Sequence, residues 1–498
     1  MKLGKLLEKI EYSLRQGSLD TEIEEVVYDS RKLIKGSLFV CLKGARFDSH
    51  DLAEDMAAQG ALALVIENEL REDIKLPPHI CIIKVKDSRE ALAYISAARF
   101  DYPAKKMITI GVTGTKGKTT TTYMIKTMLE HSGKKVGMIG TNGVFIGDDF
   151  LPSINTTPES YELQRYFSKM VEEACDYVVM EVSSQGLKLK RSAGIEFDYG
   201  IFTNISPDHI GKDEHLNFEE YLECKTRLFD QTLCAIINTD DEQGKRIRQN
   251  LLQSGKKVFG IGKGEDADYR LSKLSYVADS GFFGIHFEIG GEKNLNVEVG
   301  IPGEFNAYNA LAAIAVCDLI GLDEEELSFG LRSIHVKGRM EIAYSSEDFI
   351  VLVDYAHNAI SMESLLDTLR QYHPKRLVVV FGCGGNRAKD RRYSMGEIAG
   401  KKADFSIITA DNSRFEKTED ILADIRGSIE GTGGSYIEIP DRREAIYYAI
   451  DHAKKGDMIA IIGKGHENYQ EINGVRYHFL DREVVEERTG KKQRDESF

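Results

Sequence analysis

The 498-residue sequence predicts an α/β protein of three domains. Three observations predict it. Short apolar runs of strand length alternate with helical patterns along most of the chain, as in parallel sheets whose faces are covered by helices. One run passes directly into a glycine-flanked lysine, GTKGKTT at residues 114–120, the kind of turn that leads from strand to helix around a phosphate. The length also exceeds what one hydrophobic core supports, so about three domains are expected.

Taken in order, residues 1–104 carry the strand-like runs LFVCLKG, ALALVIE and ICIIKV and end at DYPAKK, where Pro103 between lysines reads as a linker. Residues 105–335 alternate through Met107–Val112, KKVGMIG, DYVVMEVSS, YGIFTNI and CAIINTD, with a helix expected from Thr119 to Leu129. A β-rich insert (VFGIG, GFFGIHFEI, LNVEVGI) then precedes a helix expected at Asn309–Ile320. Residues 336–498 begin a third alternation with IVLVDYA, LVVVFGCGG, FSIITADN and MIAIIGKGH.

Composition excludes several classes. A net charge of −15 argues against non-specific nucleic-acid binding, which depends on neutralising phosphates. The seven cysteines are scattered and never spaced C-x-x-C, so neither a disulfide framework nor a zinc cage is expected, and a reducing compartment fits better. The start MKLGKLLEKIEY has no signal-peptide apolar region, and the longest apolar run, ALAAIAVC, is far short of a membrane span. A cytoplasmic protein without membrane insertion is expected.

Open α/β sheets bind ligands at the carboxyl ends of their strands, so the informative residues lie just past the apolar runs. In GTKGKTT, Gly114 and Gly117 let the backbone approach a ligand, Lys118 supplies positive charge, and Thr119 or Thr120 offers a hydroxyl to magnesium. The strict loop pattern wants glycine at 112, where this chain has Val112, and a Gly/Thr turn that binds nothing is the plain alternative. Glu181, closing DYVVMEV, is equally a magnesium ligand or a capping glutamate on position alone. Taken singly, His209 reads as a loop histidine and Lys225, in FEEYLECKTRLF, as a solvated helix lysine. GCGGNRAKDRR holds half of a dinucleotide fingerprint, and its cluster including Arg387 and Arg392 suits carboxylate or phosphate better. In DNSR, Arg414 beside Asn412 is placed to grip a carboxylate while Asp411 receives an ammonium. With GKGHENYQ, which carries His466 and Glu467, these loops suggest a polar pocket for a zwitterion.

Together the motifs resemble the Mur ligase family along nearly the whole chain: DSRK, GTKGKTT, NTTPE, MEVSSQGL, HLNFEEYLECK, GEFNAYNA, GRME, DYAHN, FGCGGNR, DNSR and GKGHENYQ, in that order. The resemblance implies three domains, with a central P-loop parallel-sheet ATPase and a Rossmann-like C-terminal domain. The first would grip a uridine nucleotide sugar, the second ATP and the third an amino acid. The implied reaction joins a diamino acid, preferably meso-diaminopimelate, to the D-Glu of UDP-MurNAc-L-Ala-D-Glu through an acyl phosphate, in a monomer. L-Lysine as the amino acid, or a sibling activity such as folylpolyglutamate synthase, is the nearer alternative. A P-loop nucleotide switch is the alternative outside enzymes.

The resemblance also implies site residues. Gly114, Thr115, Lys116, Gly117, Lys118, Thr119 and Thr120 would hold ATP, with Asn309, Arg339, Asp354, His357 and Asn358. Thr119, Glu181, His209 and Lys225 would hold Mg²⁺, Lys225 as a carbamate formed with CO₂. Ser30, Asn155, Thr156, Thr157, Ser183 and Arg191 would contact the UDP-sugar-dipeptide, and Arg392, Asp411, Asn412, Arg414, Gly463 and Glu467 the diamino acid. Three positions depart from the family pattern: Ser413 stands where proline is usual, Leu189 where a glutamine is, and Gln185 where a histidine follows Ser184.

Overall fold

Chain alternation becomes sheet in the way the apolar runs require. A computed structural model describes residues 1–44, 47–147, 149–207, 210–211, 215–279 and 282–490. The chain divides into two units, Met1–Arg270 with Leu311–Leu327, and Leu271–Ala310 with Ser328–Phe498.

The first unit contains two sheets. Strands β1 (Tyr12–Gln16), β2 (Val26–Val27), β3 (Leu38–Val40), β4 (Ala63–Ile66) and β5 (Cys81–Val85) form a sheet of order β1-β5-β4-β3-β2. All its pairs are parallel except β1 with β5. The helix Ser88–Arg99 starts where the Asp87 carboxylate accepts the Arg89 and Glu90 amides, and it buries Ala91, Leu92, Ile95 and Ala98 in the core of this sheet. The expected linker is ordered structure: Pro103 opens a 3-10 turn, Pro103–Lys106, in which Pro103 and Ala104 are buried. A proline is pre-set for such a first helical position.

The larger sheet of this unit holds β6 (Ile108–Thr113), β7 (Val136–Gly140), β8 (Gly143–Ile146), β9 (Asp149–Leu151), β10 (Tyr177–Glu181), β11 (Phe197–Phe202), β12 (Thr232–Asn238) and β13 (Lys257–Gly262). Its order is β13-β12-β11-β6-β10-β7-β8-β9, parallel from β13 to β7. The VFGIG run, expected in a separate insert, is β13 and extends the parallel sheet. β6 is central. Its register sets Glu181 of β10 opposite Val112, and Phe202 of β11 opposite Thr113, so both neighbouring strands end beside the GTKGKTT turn.

Strand β14 (Tyr269–Asp279) and the helix Glu304–Ile320 each run from one unit into the other. That helix begins five residues before the expected Asn309, because the polar-looking EFNAY of GEFNAYNA is its first turn. In the second unit, β15 (Phe282–Gly291) and β16 (Leu295–Val299) pair antiparallel. The main sheet takes β17 (Glu341–Ser345), β18 (Phe349–Asp354), β19 (Arg376–Phe381), β20 (Phe405–Ile408), β21 (Tyr436–Glu438) and β22 (Asp457–Ile462) in the order β17-β18-β22-β19-β20-β21. Only β17 is antiparallel to its neighbour. β22, buried along its whole length, carries the core, each fully buried aliphatic side chain contributing about 1.5–3 kcal/mol. A two-stranded ribbon, β23 (Tyr469–Ile472) and β24 (Val475–His478), follows β22. Among the described residues no helix is long and apolar enough to cross a membrane, and the seven cysteines are all unpaired and buried.

Candidate functional site

The GTKGKTT turn has the backbone its sequence calls for. Gly114 has φ +151°, and a Cβ there would lie 1.9 Å from Thr203 Oγ1. Gly117, at φ +88°, starts the helix Lys118–His131, one residue earlier than expected and with no side-chain cap. The amides of that helix start are therefore presented to an anion. Lys118 Nζ donates to the Gly114 and Thr115 carbonyls at 2.8 and 3.1 Å, within reach of anything seated over the turn. Residues just past β11 clasp the turn. The Asn204 side chain accepts the Lys116 amide at 3.0 Å and donates to the Lys116 carbonyl at 3.1 Å, and Thr203 Oγ1 donates to that carbonyl at 2.7 Å. The Thr115 hydroxyl accepts the Ser206 amide at 3.0 Å and meets the Tyr221 hydroxyl at 3.0 Å.

Glu181 is buried beside this turn. Its carboxylate accepts Thr119 Oγ1 at 2.9 Å and, from Thr141 at the end of β7, the amide at 2.9 Å and the hydroxyl at 3.2 Å. Gly140 is required here, since a Cβ would stand 2.3 Å from Glu181 Oε1. Lys225 is 1% exposed. Its Nζ donates to the Gly114 carbonyl at 2.7 Å and lies 4.5 Å from the centre of the Tyr221 ring. The helical pattern alone made it a solvated lysine; packing against a turn 111 residues away makes it interior. Glu181 and Thr119 are hard oxygen donors of the kind magnesium takes and fit the expected ion, whereas the Lys225 nitrogen would supply an oxygen to it only as a carbamate. His209 lies outside the described residues. Among those described, no three His, Cys, Asp or Glu side chains gather as a metal cage.

The NTTPE and MEVSSQGL motifs meet. Thr157 Oγ1 donates to the Glu181 carbonyl and accepts the Ser183 amide, each at 2.9 Å, and the Thr156 hydroxyl meets that of Thr141 at 3.0 Å. Arg191 donates to the Thr157 carbonyl at 3.0 Å and pairs with Glu159 at 2.6 Å. Asn155 is exposed. Ser30 is half-buried in the DSRK turn, Ser30–Lys32, which Asp29 caps through the Arg31 amide. At the departures from the family pattern, the Gln185 side-chain oxygen is buried with no hydrogen-bond partner among the described residues, and Leu189 is half-buried.

In the second unit, β18 and β22 are neighbours and pair Asp354 with Ile462, which brings DYAHN beside GKGHENYQ. Asp354 accepts the Met340 and Ala356 amides, both at 2.7 Å. Burial holds its carboxyl above the ordinary value, against the lowering pull of Arg339. The Arg339 guanidinium lies 5.1 Å from the centre of the Tyr355 ring, which also packs against His357 and His466. Burial, helped by Arg339, pushes His466 down to about 4. Asn358 caps the helix Ala359–Arg370 through the Ser361 amide, and buried Asn309 donates to Asn306 at 2.9 Å.

The zwitterion loops converge in the same unit. Asn412 donates to Glu467 at 2.9 Å, and its oxygen accepts the Glu471 amide at 2.9 Å and buried Lys464 at 3.2 Å. Gly463, at φ +112°, leaves the space that Asp411 Oδ2 fills, 2.7 Å from where a Cβ would stand. Arg414 has its own backbone at φ +52°, and its Nη1 donates to the Gly385 carbonyl at 2.7 Å. Arg392 is 1% exposed, its guanidinium held by Glu416 at 2.8 Å and Asp424 at 2.9 Å. Sequence reasoning passed over Thr141, Thr203 and Tyr221. Thr141 and Thr203 directly follow buried strand runs, a signal that was available. Tyr221 sits in an unremarkable helical pattern.

Sequence profiles match three segments: "Mur ligase family, catalytic domain" at residues 22–100, "Mur ligase middle domain" at 112–317 and "Mur ligase, glutamate ligase domain" at 338–465. The UDP-N-acetylmuramoyl-L-alanyl-D-glutamate--2,6-diaminopimelate ligase 1 of Clostridium acetobutylicum is 41% identical over 493 residues, covering 98% of this chain and 99% of that one. The 2,6-diaminopimelate ligase of Caldanaerobacter subterraneus is 39% identical, covering 98% of both. A solved structure of a UDP-N-acetylmuramoyl-L-alanyl-D-glutamate--2,6-diaminopimelate ligase superposes with a TM-score of 0.72 at 29% identity, covering 98% of this chain and 99% of that one.

Proposed function

Because the chain belongs to the Mur ligase family, we propose that it is an ATP-dependent amide ligase of peptidoglycan synthesis. It adds meso-2,6-diaminopimelate to the D-Glu of UDP-N-acetylmuramoyl-L-alanyl-D-glutamate. The observation that carries this reading is the likeness along the whole chain to ligases named for that reaction. Residues 1–104 grip the uridine nucleotide sugar, 105–335 bind ATP and 336–498 take the amino acid. The enzyme works as a cytoplasmic monomer, a setting that suits seven unpaired thiols.

The chemistry follows from what a carboxylate lacks. Its oxygen is a poor leaving group, so the D-Glu carboxylate first attacks the γ-phosphorus of ATP. The bond to the bridging oxygen breaks, ADP departs and an acyl phosphate remains. The amine then attacks the acyl carbon, loses a proton, and phosphate leaves as the amide forms. Phosphoryl transfer asks mainly for position and charge neutralisation. The loop amides and Lys118 supply both to the β and γ phosphates, with Thr115, Lys116, Thr119 and Thr120 lining the turn. Magnesium held by Thr119, Glu181, His209 and carbamylated Lys225 would offset charge on the transferring group. Hard oxygen donors and the burial of Lys225 beside the loop support that set. Asn309, Arg339, Asp354, His357 and Asn358 hold the rest of the nucleotide.

Ser30, Asn155, Thr156, Thr157, Ser183 and Arg191 orient the sugar-dipeptide. At the far end of the diamino acid, Asp411 and Glu467 receive the ammonium, Asn412 and Gly463 shape the pocket, and Arg414 grips the second carboxylate with its planar fork. L-Lysine lacks that carboxylate. Arg392 acts through Glu416, whose carboxylate it shares with the Asn386 amide. Phosphate release measured with ATP, the UDP-dipeptide and a panel of diamino acids tests the reading. Turnover with meso-diaminopimelate well above L-lysine is expected. Release that ignores the UDP-dipeptide would contradict it.

A further inference from the structure

Arg442 and Asp481 belong to none of these sets, yet both side chains are wholly buried. Arg442 opens the helix Arg442–Asp451 and Asp481 opens the helix Asp481–Thr489. The guanidinium meets the carboxylate fork to fork, Nε to Oδ1 and Nη2 to Oδ2, each at 2.7 Å. Two of its remaining donors go to backbone carbonyls: Nη2 to Ile462 at 3.0 Å and Nη1 to Ala410 at 3.3 Å. These carbonyls immediately precede Gly463 and Asp411. One side chain therefore holds the root of both loops of the zwitterion pocket.

No backbone ladder could do the same. In the sheet β19 lies between β20 and β22, so the two strands that lead into these loops are not hydrogen-bonded to each other. Gly382, just past β19, lets the chain beyond β20 pack close against it, because a Cβ there would stand 2.2 Å from the Thr409 carbonyl. A buried ion pair is also a poor device for stability alone, since desolvation offsets most of its attraction. A well-packed apolar pair would stabilise the core as well. What an apolar pair cannot do is bind two carbonyls on strands that do not touch. Only a planar, forked cation can pair with a carboxylate and still reach both.

We propose that Arg442, oriented by Asp481, is a positioning residue that sets the spacing of the Asp411–Arg414 and Gly463–Glu467 loops, and so the affinity for the diamino acid. The inference rests on the function proposed above. Two variants test it. Arg442→Lys keeps the charge opposite Asp481 but cannot reach both carbonyls; Arg442→Met with Asp481→Leu replaces the pair by apolar side chains. Thermal melting and steady-state phosphate release are recorded for each beside the wild type. At least one variant should melt cooperatively, with a KM for meso-diaminopimelate raised about tenfold or more and a KM for ATP within twofold of wild type. Equal changes in both KM values, no change in either, or loss of the melting transition in both variants would overturn the inference. Wild-type enzyme whose phosphate release does not depend on diaminopimelate would instead overturn the functional reading on which it stands.

Discussion

Arg414 offers a test in which stability and affinity separate. Its backbone sits in the left-handed region at φ +52°, pinned by its amide on the Glu471 carbonyl at 3.0 Å and by the Asn473 amide on its own carbonyl at 2.6 Å. A non-glycine residue pays about 1–2 kcal/mol for that conformation. Arg414→Gly recovers this, loses the bond to Gly385, worth about 1 kcal/mol, and adds about 0.5–1 kcal/mol of unfolded-chain entropy. The sum is close to zero. Arg414→Ala loses the same bond and keeps the strain, so it should be about 1 kcal/mol less stable than wild type, or roughly 2–4 °C in melting temperature for a unit of this size. Affinity should not distinguish the two variants. Two charge-assisted hydrogen bonds to a carboxylate are worth about 1.5–3 kcal/mol each. The side chain is 25% exposed, which lowers the total to about 3 kcal/mol, or about 100-fold in KM for diaminopimelate. Melting curves and phosphate release against diaminopimelate and ATP supply the readings. If the alanine variant melts above the glycine variant, the backbone argument fails. If the KM for ATP rises as much as that for diaminopimelate, the carboxylate grip fails.

The remaining predictions concern the phosphate turn and pH. Lys118→Ala should lower kcat by about 10²–10³-fold, the usual cost of removing one preorganised donor aimed at developing charge; activity near normal would refute its role. Wild-type enzyme in buffer stripped of CO₂ should lose activity and regain it on adding bicarbonate, while Lys225→Ala should be inactive in both; indifference to bicarbonate would refute the carbamate. His466 is pushed down to about 4 from 6.5, so the folded state binds fewer protons than the unfolded one. Its contribution to stability is complete above pH 6.5 and is lost as pH falls from 6.5 toward 4. His466→Asn should therefore flatten the fall in melting temperature over that window, and parallel curves would contradict this.

What the sequence made legible was local. GTKGKTT announces its backbone because glycine, lysine and threonine act within one turn, and the apolar runs announce β6, β18, β19 and β22 because each is buried through its middle. The inward-facing chemistry is non-local. Lys225 looks solvated until the Gly114 carbonyl is brought to it, and Arg442 looks like a helix-start arginine until Ala410, Ile462 and Asp481 surround it. Arg392 shows the reverse. Its basic neighbourhood suggested an anion grip, but Glu416 and Asp424 enclose it from a loop and a helix further along the chain. VFGIG read as part of an insert because nothing in its residues says which strand it will pair with. Contacts of this range decide both burial and register, and neither leaves a period in the sequence.

The central claim is that a peptide carboxylate is activated by accepting the γ-phosphoryl group at the GTKGKTT turn. It is tested most directly with UDP-dipeptide carrying ¹⁸O in the D-Glu carboxylate, turned over with ATP and diaminopimelate. One ¹⁸O atom should appear in each inorganic phosphate released, because the acyl phosphate leaves with the substrate's own oxygen. Phosphate free of ¹⁸O, formed while the amide product accumulates, would contradict the account.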